Sequence, residues 1–347
     1  MKIVVDNKIP YIQEALPRLC DEVIFLDGSK ITHNDVKDAD ALIVRTRTQC
    51  NEELLKGSKV SFIATATIGY DHLDIDYLKK AHISWTNCPG CNASSVGQYI
   101  RSCLILLEKE KGIDLTQTTI GIVGVGHVGK AVINAVKPLG IKILKCDPPV
   151  KFKLEQKGLF AEDYLSLRQL QDECDIISFH TPLTKMGDNP TFHLADTKFF
   201  KNIRKNLILI NSSRGAVVDN VALLEAIKKK IVKYAIIDTW ENEPYINKEL
   251  LSHAYIGTPH IAGYAADGKA NASRMTLTAI CQHFHIPLQL DIHPPKIQVT
   301  KEYQEMNEKE RSLFLYNPHR DSKLLKDNPV LFEKYRGDYP LRREFIE

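Results

Sequence analysis

The sequence predicts an α/β protein built on two doubly wound, Rossmann-like parallel sheets, and three observations carry that prediction. Short β-rich runs alternate with segments of helical period, the arrangement of successive βαβ units. The later runs are apolar along most of their length, as strands covered on both faces should be. The runs also fall into two sets. Between them lies one long segment, Ser94 to Glu110, in which Val96, Ile100, Leu104 and Leu107 recur at helical spacing.

In chain order, the first set comprises Ile3–Val5, Val23–Leu26, Ala41–Val44 and Phe62–Ala64. The helical segment follows, with Ser94 and Ser95 as candidate caps and Gly112 beyond its end, and its place makes it a candidate connector between domains. The second set comprises Ile120–Val123, Ile141–Cys146, Asp175–Phe179, Leu207–Asn211 and Tyr234–Asp238, with helical patterns at Val128–Leu139 and Asn220–Lys230. After His260 the chain is expected to return to the first domain, because Gly268–Phe284 reads as another helix. The expected domains are therefore 1–93 with 264–287, and 94–263 inserted between them. From about Leu288 to Glu347 the chain is rich in charge and proline, yet it holds Leu313, Phe314, Leu315, Tyr316, Leu331, Phe332, Tyr335 and Tyr339. So many large apolar groups argue for burial, hence for a small appended domain that makes a subunit contact, over a solvated tail.

Composition narrows the class. A chain of 347 residues with 44% hydrophobic and 26% charged residues has a globular core and is long for one domain. A net charge of +3 does not suggest a nucleic-acid or membrane-surface protein, and no run reaches the roughly 18 apolar residues that span a bilayer. The opening MKIVVDNKIP reads as a first strand and not as a secretion signal. With no such signal, the eight scattered cysteines read as free thiols of a reducing, cytoplasmic compartment. Cys88 and Cys91 form a single C-x-x-C in a Pro-Gly turn, where ordinary loop packing is favoured over a metal or redox pair. No metal site is expected.

The strongest motif runs from Gly121 to Gly129, with Gly124, Gly126 and Gly129 spelling G-x-G-x-x-G. It follows a predicted strand and opens a predicted helix, which is the context that makes it a dinucleotide-binding turn. Gly124 permits the tight turn, Gly126 lets backbone N–H groups approach a pyrophosphate, and Gly129 lets the helix pack closely. His127 and Val128 sit at the helix N-terminus, whose positive end faces the phosphates. Asp147 ends the next strand 18 residues after Gly129, where a carboxylate accepts hydrogen bonds from ribose hydroxyls and repels a 2′-phosphate. Pro148 and Pro149 follow in place of an arginine, which favours NAD, while Lys151 leaves NADP open.

Three polar residues stand where strands of the second set should end: Arg214, Glu243 and His260. Ligands of open α/β sheets bind at those carboxyl ends. Oxidation of a secondary alcohol removes the hydroxyl proton as hydride leaves the same carbon, and an imidazole is suited to take that proton. A neighbouring carboxylate favours the protonated ring and holds one orientation. An arginine grips a substrate carboxylate through two parallel hydrogen bonds. Each residue alone has an ordinary structural reading; the ordered set behind a dinucleotide turn is what points to catalysis.

These residues, with Ala64-Thr-Ala-Thr-Ile-Gly-Tyr-Asp-His72, Pro89-Gly-Cys-Asn92, Cys146-Asp-Pro-Pro149, His180-Thr-Pro-Leu183, Arg214-Gly-Ala-Val-Val-Asp-Asn220 and Gly257-Thr-Pro-His-Ile-Ala-Gly-Tyr264, resemble the D-isomer-specific 2-hydroxyacid dehydrogenases over essentially the whole chain. The resemblance implies a substrate domain of flavodoxin-like order, split around an NAD-binding domain, with the active site in the cleft between them. It implies Arg214 on the substrate, Glu243 paired with His260 as general acid and base, and Asp147, Thr181, Asp238 and Gly263 on the cofactor. The likeness is nearest to the branch that oxidises a phosphorylated four-carbon hydroxy acid in pyridoxal phosphate biosynthesis. That branch implies Thr46, Thr67 and Tyr264 as substrate contacts and a small C-terminal α+β dimerisation domain. Thr46 stands where the branch has serine, and Cys88 has no evident purpose. Arg45 and Arg47 flank Thr46; if this is a strand they point away from it, leaving phosphate binding and surface charge evenly balanced. Two rivals stay open: another hydroxyacid dehydrogenase, such as one acting on 3-phosphoglycerate, and a non-catalytic NAD-sensing binding protein.

Overall fold

The computed structural model describes residues 1–203, 206–287 and 290–344. It divides into two compact units, Met1–Asn92 with Ala265–Ile297, and Ala93–Tyr264 with the chain from Gln298 onward. Leu288, where the appended segment was expected to start, lies outside the described residues.

The first unit carries a five-stranded parallel sheet of β1 (Lys2–Asp6), β2 (Glu22–Leu26), β3 (Ala41–Val44), β4 (Phe62–Thr65) and β5 (Ser84–Thr86), in the order β2-β1-β3-β4-β5. Its strands pair in simple register, with Ile3 opposite both Val23 and Ala41. The helix Ala266–His283 covers one face, burying Ala270, Leu277 and Ile280 against Ile3, Ile43 and Ala64. Cys88 acquires a purpose here. Its buried Sγ lies 3.4 Å from the carbonyls of Thr65 and Ala272 and 3.3 Å from Thr276 Oγ1, tying the end of β4 to that helix.

The second unit carries a six-stranded parallel sheet: β6 (Thr119–Val123), β7 (Lys142–Cys146), β8 (Ile176–Phe179), β9 (Leu207–Asn211), β10 (Val232–Ile237) and β11 (Ile256–Gly257), in the order β11-β10-β9-β8-β6-β7. Beyond β7, a parallel bridge joins Lys145 to Tyr164. The order reverses between β6 and β8, so the crevice for a ligand opens at their carboxyl ends. The connector expected at Ser94–Glu110 is the helix Ala93–Lys111, and it belongs to this unit's core. Tyr99, Ile100, Cys103, Leu104 and Leu107 are fully buried, and Ser95 and Ser102 are buried with them, so the helix is covered on nearly every side. Gly97 lets the helix His127–Val136 approach, since a side chain there would press on the Ala131 carbonyl at 3.0 Å.

The C-terminal segment differs from the α+β expectation. Among the described residues it forms the short helices Lys301–Glu305, Glu308–Leu315, Pro318–Asp327 and Phe332–Gly337 and no named strand. The cause is local: Asn307 and Glu310 form a capping box, and Asn317 caps a helix that begins with Pro318. Leu325 and Phe332 are fully buried in the same core as Val217, Trp240 and Ile246. No helix among the described residues is long and apolar enough to cross a membrane.

Candidate active site

At the end of β6 the glycine turn is shaped by the absence of side chains. Gly124 has φ +89°, and a Cβ on it would lie 2.7 Å from the His180 carbonyl and 2.9 Å from Thr181 Cγ2. A Cβ on Gly129 would overlap the Gly124 carbonyl, so only glycine lets the helix pack there. Gly126, the N-cap, faces open space, leaving the amides of His127 and Val128 free to meet an anion. Asp147 does work that the sequence did not show. Its Oδ2 accepts from Val125 N at 2.8 Å and its Oδ1 from Val150 N at 3.0 Å, so it fastens the glycine turn and caps the helix Pro148–Gln156. Each oxygen keeps a lone pair for a ribose hydroxyl.

Thr181, at the end of β8, carries a buried Oγ1 with no hydrogen-bond partner within the chain, and a buried hydroxyl left so has a hydrogen bond to give a bound group. An orphaned hydroxyl beside Gly124, open space at Gly126 and an unfilled acceptor on Asp147 together fit a dinucleotide. His180 beside it is structural: burial depresses its imidazole to about 3, and Nε2 lies 2.8 Å from Ser178 Oγ.

Glu243 and His260 sit on the turns after β10 and β11. His260 Nδ1 lies 2.8 Å from Glu243 Oε2, and because an ionised carboxylate only accepts, Nδ1 carries the proton and Nε2 presents the lone pair. Glu243 Oε1 accepts from Trp240 N at 2.8 Å. Burial alone would raise the Glu243 carboxyl, but the hydrogen bond and charge of His260, the Trp240 amide and Arg336 outweigh it and hold the group below the usual glutamate range.

His260 itself is held by its backbone. It has φ +57°, and its N–H donates to the carbonyls of Asp238 and Thr258. The buried Asp238 carboxylate gathers the turn around itself: it accepts from Thr258 Oγ1 at 2.7 Å, Ile261 N at 2.8 Å and Ala262 N at 3.0 Å. Because Thr258 spends its proton on Asp238, the fully buried Tyr99 donates to Thr258 at 2.8 Å. Burial pushes the Asp238 carboxyl up, and the charge of His260 with these hydrogen bonds pulls against it. Trp240 Nε1 donates to the Thr258 carbonyl at 2.9 Å. Gly263 follows in the same turn.

Arg214 is exposed on the turn after β9, where its Nη1 donates to the Ser213 carbonyl at 2.8 Å. The next residue must be glycine, because a Cβ on Gly215 would overlap the Trp240 carbonyl; the Arg214 turn therefore lies against the turn leading to Glu243. Asn211 Nδ2 donates to the Arg214 carbonyl at 3.1 Å and fixes that turn from within. Beside it, His193 Nε2 meets Glu241 Oε1 at 2.7 Å while Glu241 Oε2 accepts from Asn220 N. The unit thus brings Arg214, Glu243, His260 and Tyr264 onto neighbouring turns at one end of its sheet. Asn211, Trp240 and Thr258 were missed: buried polar residues that hold turns leave no spacing pattern in a sequence.

In the first unit, Thr46 is exposed just past β3, and Thr67 Oγ1 lies 2.7 Å from Thr65 Oγ1 and donates to the Gly69 carbonyl at 2.8 Å. The strand alternation invoked around Thr46 does not apply, because β3 ends at Val44 and residues 46–47 turn. Arg45 is committed to the fully buried Asp6, with Nε to Oδ2 at 3.0 Å and Nη2 to Oδ1 at 3.4 Å.

Fold and site define an NAD-dependent dehydrogenase of 2-hydroxy acids. Residues 98–262 match the D-isomer specific 2-hydroxyacid dehydrogenase, NAD binding domain. Solved relatives include D-lactate dehydrogenase of Aquifex aeolicus complexed with NAD and lactic acid, at 27% identity and TM-score 0.65 over 82% of this chain and 96% of that one. A cofactor-bound 3-phosphoglycerate dehydrogenase of Entamoeba histolytica is similar at 26% identity and TM-score 0.67, over 86% and 99%. The chain is 52% identical to erythronate-4-phosphate dehydrogenase of Bacteroides fragilis over 99% of its length and 97% of the relative's. It is 40% identical to that of Escherichia coli O157:H7 over 99% and 92%. The chain belongs to the erythronate-4-phosphate dehydrogenase family.

Proposed function

We propose that the chain oxidises 4-phospho-D-erythronate to 3-hydroxy-2-oxo-4-phosphonooxybutanoate in pyridoxal 5′-phosphate biosynthesis, with His260 as general base and Arg214 holding the substrate carboxylate. The observation that carries this reading is the 2.8 Å contact of His260 Nδ1 with a Glu243 that is itself held by Trp240 N. Glu243 fixes one tautomer, so Nε2 takes the hydroxyl proton as the alcohol becomes a ketone and returns it in the reverse direction. NAD, when bound, takes the hydride from the same carbon. Arg214, whose guanidinium spends only part of its donor set on Ser213, has N–H groups left for a carboxylate. Gly124, Gly126, His127, Val128, Gly129, Asp147, Thr181, Asp238 and Gly263 are assigned to the cofactor. Thr46, Thr67 and Tyr264 are assigned to the substrate. The reading also takes the protein as a cytoplasmic homodimer joined through the C-terminal segment.

The test mixes purified protein with NAD and either 4-phospho-D-erythronate or 3-phosphoglycerate and follows reduced nicotinamide. A 2-oxo acid is added in parallel runs, in case tightly held cofactor limits the reaction to one turnover. Preference for the four-carbon phosphate, lost in His260→Ala, supports both substrate and base. Preference for 3-phosphoglycerate leaves the chemistry standing and overturns the substrate. NAD binding without turnover of either moves the weight to another hydroxy acid or to an NAD-sensing role.

A further inference from the structure

The Glu243–His260 pair has a third charged neighbour, and it comes from the C-terminal segment. Phe332 is fully buried in the core that holds Val217, Trp240 and Ile246, which anchors the short helix Phe332–Gly337 on this unit. One turn on, at i+4 and so on the same face, stands Arg336. Its Nη1 is 3.6 Å from Glu243 Oε2, the oxygen that also accepts from His260, and 3.8 Å from Glu333 Oε1. It also hydrogen-bonds the Tyr264 side chain. A few residues further, Arg342 is buried and spends its guanidinium on the carbonyls of Ile261, Ala262 and Tyr264, the residues that follow His260.

We propose that Arg336 is a positioning residue for the acid–base pair, acting through Glu243, so that the C-terminal segment is part of the catalytic apparatus and not only a surface for association. The inference rests on the reading of Glu243 and His260 as that pair. Glu243 Oε2 faces the Nδ1–H of His260 and the guanidinium of Arg336, and its partner oxygen faces the Trp240 amide. His260 faces two carboxylates, Glu243 and the buried Asp238. Arg336 places a positive charge beside Glu243 and holds the carboxylate's orientation while leaving one lone pair on Oε2 for His260.

The test compares Arg336→Gln and Arg336→Lys in pH profiles of kcat/KM for alcohol oxidation. Arg336→Gln is expected to move the acid limb upward by roughly half to one pH unit and to slow turnover at neutral pH by about 3- to 10-fold. The alkaline limb of the reverse reaction should move the same way. Arg336→Lys, which keeps the charge, should hold the wild-type limb. In a Glu243→Gln background the effect of Arg336→Gln should vanish, because no carboxylate remains to act through. NADH binding and thermal unfolding confirm that each variant is folded. An unmoved limb in Arg336→Gln, a shifted one in Arg336→Lys, or an equal loss in the Glu243→Gln background overturns the proposal. Full activity of His260→Ala or Glu243→Gln overturns the acid–base reading beneath it.

Discussion

The turns after β6 and β11 sit at carboxyl ends of one sheet, yet they are built from different material. The first is shaped by side chains that are missing: Gly124, Gly126 and Gly129 clear space for backbone amides. The second is shaped by side chains that are buried: Asp238, Thr258, Tyr99, Trp240 and Arg342 hold the backbone around His260 in a left-handed conformation that a histidine does not choose by itself. The difference follows from what each must present. A pyrophosphate is met by N–H groups, which every residue carries, so the requirement is room. A proton is met by one imidazole nitrogen at one place, so the requirement is rigidity imposed from outside the turn.

If that contrast holds, the two turns fail in different ways. In the cofactor turn the sharpest probe is Gly129→Ala, whose Cβ overlaps the Gly124 carbonyl. Overpacking of about 1–3 kcal/mol there should weaken NADH binding by one to two orders of magnitude in a fluorescence titration. On the other turn, Asp238→Ala leaves the Ile261 and Ala262 amides and the Thr258 hydroxyl without their acceptor, at about 1–3 kcal/mol for each buried group. Its kcat should fall further than its NADH affinity, measured on the same preparation.

A pH dependence sharpens the comparison at the end of β8, beside the glycine turn. His180 is buried and its folded pKa is depressed to about 3, whereas the unfolded imidazole titrates near about 6.5. Between those values the unfolded chain binds the extra proton, so stability is fully present above the unfolded pKa and falls as pH drops. The slope is about 1.4 kcal/mol per pH unit. Urea unfolding of His180→Gln between pH 4 and 6 should show a shallower slope by about that amount. The smallest effect belongs to Asp147→Ala. Loss of the cap costs about 1 kcal/mol of stability in thermal unfolding, and preference for NAD over NADP should relax.

What was legible in the sequence follows the same division. The glycine turn could be read because its spacing is its mechanism, and Asp147 because it ends the next strand. Arg214 and Glu243 could be placed at strand ends, since β9 and β10 are apolar runs, and His260 through its place in the Gly257–Tyr264 motif. The two-residue β11 is too short to show any pattern, and Ser84–Thr86 is little longer. Around Thr46 strand alternation does not apply, because the strand stops at Val44. The helices at Asn307 and Asn317 carry caps that are readable in the sequence and that point to helix, not α+β, for the tail. Arg336 carried no such signal: Glu333-Lys-Tyr-Arg336 reads as a solvated charge run, and only the burial of Phe332 turns that helix toward Glu243. Residues that act by filling a site from a distant part of the chain have no local period to betray them.

The most direct test of the separation between cofactor cradle and proton relay is a paired measurement on His260→Ala. The variant is titrated with NADH and then followed through a single turnover of hydride transfer from the hydroxy acid. The account predicts NADH affinity close to that of the unaltered protein and a transfer rate lower by about 10²- to 10⁴-fold. Transfer at the original rate would contradict it, because the proton would then be leaving the substrate by a route that does not pass through His260.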